Sequence, residues 1–133
     1  MKSTMAKVLV GLLALDVTLG VLVTPAGGMD PRGPSGASAL TWTLVGIFMI
    51  GLILSLTAIV QLVRGSAIAP TIALVAPLLL YPVIIADRSN VFHAEVAPPA
   101  IRTLEWCIAA LSVVVIGGAA MMRAAARTKP TWA

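Results

Sequence analysis

The chain has 133 residues, of which 59% are hydrophobic and 11% charged, and its mean hydropathy is +1.04. An ordinary soluble domain carries about a quarter charged residues, so this chain has too little polar surface to cover a globule in water. The apolar residues fall in four blocks, each near the ~20 residues needed to cross a hydrocarbon core. The expected fold class is an all-α membrane protein, four transmembrane helices in an antiparallel bundle with both termini cytoplasmic.

A net charge of +4 raises the question of nucleic acid. The basic residues flank the apolar spans and form no stripe with aromatics, which excludes nucleic acid and makes lipid headgroups their natural partners. Cys107 is the sole cysteine, so neither an internal disulfide nor a cysteine metal cluster can form within one chain. The single histidine, His93, lies between spans, which leaves no bis-histidine haem site. No cofactor is expected.

In chain order, the first span covers about 8–23 and follows Lys2 and Lys7. A secretory signal would share its basic start and apolar stretch, but Asp16 inside the run favours a membrane helix. Residues 24–39 turn to Pro, Gly, Ser and Ala and read as an outer loop. The second span covers 40–63, and Arg64-Gly65-Ser66 leaves so short a connection that the third span, 67–86, must lie beside it. Pro70 suits the third helix's first turn. Pro77 and Pro82 remove backbone donors further in and should kink or loosen it. Residues 87–100 form a second outer loop with Asp87, Arg88, His93 and Glu95, and the fourth span covers 101–122. Arg102 and Glu105 are spaced to pair at its start, Trp106 sits at headgroup depth, and a loose basic tail follows.

Orientation follows from the bias of Lys and Arg towards the cytoplasm. Six fall on the side of the termini (Lys2, Lys7, Arg64, Arg123, Arg127 and Lys129) against three on the other (Arg32, Arg88 and Arg102). Trp42, Tyr81 and Trp106 then fall near the outer interface as an aromatic belt. Arg123, Arg127 and Lys129 are expected to contact lipid headgroups. The expected location is the cell membrane, and the Ala/Val/Leu/Gly-rich style suits a high-GC bacterium.

Asp16 is the one carboxyl near the middle of an apolar run. A carboxylate at that depth costs roughly 2.5–3.5 kcal/mol on insertion scales, so it faces protein or water and often marks function. It lies roughly 13–14 Å above the cytoplasmic end of its helix at 1.5 Å per residue. The same count on the other helices lands near Ser55, Pro77 and Ser112. An intramembrane polar layer of Asp16, Ser55, Ser112 and Pro77 is therefore expected, with Thr18 and Thr57 as alternate donors and the Ala73 carbonyl freed by Pro77. The functional reading of that layer is a protonatable or cation-binding site. The plainer one is an uncharged acid joining helices, or meeting a residue of another subunit, through bonds worth about 0.6 kcal/mol each.

Small-residue steps add a packing signal: Gly51 with Ser55, Ala14 with Thr18, Ala69 with Ala73, and Gly117-Gly118-Ala119-Ala120. Asp87, His93 and Glu95 are metal-ligand types, but a solvated loop explains them better. Cys107 reads as a small packing residue. No hydrolase triad, phosphate loop or metal-protease helix is present, so no enzyme is expected. A four-helix chain with an acid in helix one resembles the small multidrug-resistance exporters in architecture, with longer outer loops and Asp where those carry Glu.

The expected function is a small non-catalytic membrane protein, an accessory or assembly subunit that packs against other membrane subunits or its own copies through Asp16 and its small-residue faces. The alternative is a small homo-oligomeric proton-coupled transporter or channel that uses Asp16.

Overall fold

In a computed structural model of the chain, residues 4–24, 39–89 and 98–128 are described, so most of both expected outer loops lies outside the described residues. The elements are α1 (Thr4–Val23), α2 (Ala39–Arg64), α3 (Ala69–Leu78), α4 (Tyr81–Arg88) and α5 (Pro99–Thr128). Four stretches are long and apolar enough to cross a membrane: Thr4–Val23, Trp42–Arg64, Ala69–Arg88 and Pro99–Arg127. The third is α3 and α4 in succession. α1 and α3 each contact both α2 and α5, which closes the helices into a ring, and α4 extends the α3 side of it.

Each helix buries one stripe. On α1 it is Ala6, Leu9, Leu13, Asp16 and Gly20. On α5 it is Ile101, Glu105, Ile108, Ser112, Val115 and Ala119. Steps alternating between three and four residues keep a stripe turned towards its neighbours. The stripes are rich in Ala, Gly and Ser, while Val8, Leu15, Ile53, Leu56, Val113 and Val114 point outward. Lipid tails are as apolar as leucine, so helices in a membrane associate by close packing of small residues and not by hiding large ones.

Three glycines mark the closest approaches. A Cβ on Gly20 would lie 2.6 Å from Leu52 Cδ2, and one on Gly118 would lie 2.9 Å from Leu9 Cδ2. A Cβ on Gly51 would lie 3.0 Å from Leu79 Cβ and 3.1 Å from the Ala76 carbonyl oxygen, which is backbone and cannot swing aside. Ser55, Ala69 and Ala73 are buried as the small-residue steps predict, whereas Ala14 and Thr18 face outward.

The α2–α3 turn has a specific cause. Gly65 adopts φ +71, a conformation that costs other residues about 1–2 kcal/mol. It lets Ser66 N–H donate to the Gln61 carbonyl and Gly65 N–H to the Leu62 carbonyl, at 3.0 and 3.1 Å. That pair of bonds is a Schellman cap, and it satisfies carbonyls the helix end would leave bare.

The single third helix expected over 67–86 is two helices with a turn at Leu79 and Leu80. Pro77 and Pro82 each lack an N–H and crowd the carbonyl four residues back. Between them the chain tightens, and Leu79 N–H bonds to Ala76 and Leu80 N–H to Pro77, both three residues back. The helical path also runs further than expected, to Arg88, so Asp87 is a buried residue of α4 and not a loop residue. Likewise α5 continues past Met122 to Thr128, so Arg123 and Arg127 belong to a helix and not a loose tail, while Lys129 lies outside the described residues. The apolar run ends near Met122, but the alanines after it keep a high helix propensity.

Gly51→Val should lower the stability of the purified protein by about 1–3 kcal/mol, the usual cost of overpacking. Gly117→Ala, where nothing lies within 4 Å of the added carbon, should be neutral or slightly stabilising. Thermal unfolding in detergent checks both, and equal melting points for the two variants would contradict the packing described.

Candidate functional site

The α1 stripe places Asp16 one turn beyond Leu13, and the α5 stripe places Ser112 one turn beyond Ile108. There the two side chains meet. The Ser112 hydroxyl donates to Asp16 Oδ2 at 3.0 Å, joining residues 96 positions apart. Both side chains are 0% exposed. Asp16 Oδ1 is also buried and has no hydrogen-bond partner among the described residues.

The seam lies between two apolar clusters. One holds Leu9, Leu13, Ala58, Leu62, Ala69, Ala73, Val115 and Ala119. The other holds Phe48, Leu52, Leu80, Ile84 and Ile108, with Leu19 packed against it. On every helix of the ring the residue of the expected layer falls between the two: Asp16 between Leu13 and Leu19, Ser55 between Leu52 and Ala58, Pro77 between Ala73 and Leu80, Ser112 between Ile108 and Val115.

Within the layer the structure is selective. Ser55 is fully buried, but its hydroxyl donates to the Gly51 carbonyl of its own helix at 2.9 Å. Thr18 and Thr57, the alternate donors, likewise bond back to Ala14 and Ile53. This four-residue back-bond is the default of a helical Ser or Thr with no better acceptor. Ser112 is the hydroxyl that leaves its helix for the acid. Asp16 is accordingly engaged through Oδ2 inside its own chain.

Tyr81 turns its hydroxyl into the bundle, where it donates to the Ala109 carbonyl at 2.9 Å. Ala109 and Ser112 are one turn apart on α5. Trp42 and Trp106 do point outward, at 64% and 65% exposure.

Other expected sites change place. Cys107 is exposed, not packed. Asp87 is buried in α4, while His93 and Glu95 lie outside the described residues. No group of three metal-ligating side chains occurs among the described residues. Glu105 is buried on the α5 stripe, with Arg102 exposed.

Chemically, the seam holds one acid with a satisfied oxygen and an unsatisfied one, a serine donor and a nearby phenol. Such a set can hold a proton or bind one more donor. No family model, curated protein or solved structure matches the chain.

Ser112→Ala and Asp16→Ala should be coupled by about 0.6–1.7 kcal/mol in a double-mutant cycle, the measured scale for hydrogen bonds between membrane helices. Ser55→Ala should change stability by less and show no coupling to Asp16→Ala. Unfolding in mixed micelles reads all the variants, and a zero coupling for Ser112 would remove the bond from the account.

Proposed function

We propose that the chain is a small non-catalytic integral membrane protein, an accessory or assembly subunit of a larger complex in the cell membrane. The observation that carries this reading is the closure of the Asp16–Ser112 seam. The acid is fully buried between two apolar clusters and bonded to its own chain. An acid serving transport would line a wet cavity, whereas one joining helices is met by a hydroxyl in a dry seam.

In this reading the bundle is antiparallel with both termini cytoplasmic. Successive helices meet the two apolar clusters in opposite order, and the excess of Lys and Arg on the side of the termini favours that orientation. Arg123, Arg127 and Lys129 contact lipid headgroups there. The face offered to a partner helix is the outward stripe of α1, where Gly11, Ala14 and Thr18 are exposed and a Cβ on Gly11 would meet nothing within 4 Å. Small outward residues let a second backbone approach.

Extraction in mild detergent followed by native mass measurement tests this. Other membrane proteins should accompany the chain, and Gly11→Leu with Ala14→Leu should release them while leaving the monomer folded. Recovery of the native protein as a lone stable monomer would overturn the reading.

A second reading, a small homo-oligomeric proton-coupled transporter or channel, is favoured by one observation: the unsatisfied Oδ1 of Asp16 in the same layer as the Pro77 break. It requires a pH-dependent flux in liposomes that Asp16→Asn abolishes.

A further inference from the structure

Next to the seam, α4 and the N-terminal part of α5 form an open-sided cavity of about 320 Å³ lined by Tyr81, Ile84, Ile85, Arg88, Glu105 and Trp106, among others. That volume sits at the lower end of the roughly 300–1,000 Å³ typical of small-molecule sites. It is open at one side, and the exposed Ile85 and Trp106 stand among its lining. Its walls come from the whole of α4, the last two turns of the third spanning segment, and from the second and third turns of α5. Arg88 closes the third spanning segment and Trp106 lies two turns into the fourth, positions suited to the aromatic belt at a membrane–water interface.

The charges within it are specific. The Arg88 guanidinium lies over the Trp106 ring, with Cζ 4.8 Å from the centroid, a cation–π stack that holds the planar fork in place. Its Nη1 is buried and has no hydrogen-bond partner among the described residues. A guanidinium so placed calls for an anion, and phosphate suits its geometry. Glu105 lines the same cavity. A carboxylate has about four lone-pair directions, so Glu105 can accept an ammonium proton alongside its contacts within the chain. A cation and a carboxylate in one small chamber, with isoleucines around them, match a ligand carrying both charges on an apolar body.

We infer that the α4–α5 cavity binds the headgroup of a zwitterionic phospholipid with a primary ammonium, of the phosphatidylethanolamine type. The phosphodiester sits on Arg88, the ammonium reaches Glu105, and the acyl chains leave past Ile85 along the outward face. The cavity is too small for the chains themselves. This assignment rests on the chain spanning a membrane and not on whether it is a subunit or a carrier.

The test is native mass spectrometry of the full chain in detergent, supplied with phosphatidylethanolamine, phosphatidylcholine or phosphatidylglycerol. The ethanolamine lipid should be retained about fivefold more tightly than the choline lipid, whose quaternary ammonium donates no hydrogen bond. Glu105→Gln should abolish that preference. Arg88→Gln should weaken retention of both by about tenfold, the scale of one lost charge-assisted contact. Circular dichroism verifies that each variant is folded. If Arg88→Gln does not fold, a photoactivatable phosphatidylethanolamine on the unaltered protein decides, with labelling expected on 81–89 or 105–109. Equal retention of the ethanolamine and choline lipids, a preference for phosphatidylglycerol, labelling confined to other segments, or equally tight binding of soluble phosphoethanolamine would each overturn the assignment.

Discussion

One carboxyl group in an apolar bundle constrains everything around it. Asp16 cannot face hydrocarbon, so the α1 stripe must turn inward, and it must find a donor there. Ser112 supplies that donor from α5. With α1 fixed against α5 at that point, the small residues on either side can close the seam. Gly118 lets Leu9 approach α5, and Gly20 lets Leu52 of α2 approach α1. A single hydrogen bond here adds little energy, about 0.6 kcal/mol by the average for membrane helices. Its effect is on register, since sliding either helix by one turn would strand the acid.

The prolines act on the same layer from the opposite side. Pro77 is buried at Asp16's level, between the two apolar clusters. α4 continues the buried face of α3 in ordinary helical steps through Ala76, Leu80 and Ile84, and from it the Tyr81 hydroxyl reaches the Ala109 carbonyl and Arg88 lies over Trp106.

The helices were legible because their cause is hydropathy over about twenty residues, which sequence states directly. Asp16 and Ser112 were legible together through depth: equal rise per residue puts positions at the same count in one layer. Depth alone does not give the rotation of each helix, and so it did not separate Ser112, which reaches the acid, from Ser55, which bonds to Gly51. It also gave no sign that the Tyr81 hydroxyl reaches Ala109, and Asp87 is set in a loop because the apolar run stops at Ala86 while the helix goes on to Arg88. The ends of α5 escaped for another reason. Helix propensity in Arg123-Ala-Ala-Ala-Arg127 outlasts the apolar run, and hydropathy does not register it.

The account stands on the claim that Asp16 is closed into a seam of its own chain. Cross-linking tests this most directly, using Asp16→Cys with Ser112→Cys in a Cys107→Ser background and a short membrane-permeant thiol cross-linker. The account predicts a cross-link within one chain, seen as a monomer of altered mobility, that requires both introduced cysteines. Cross-linked dimers formed by Asp16→Cys alone would place the acid at a surface between chains and contradict it.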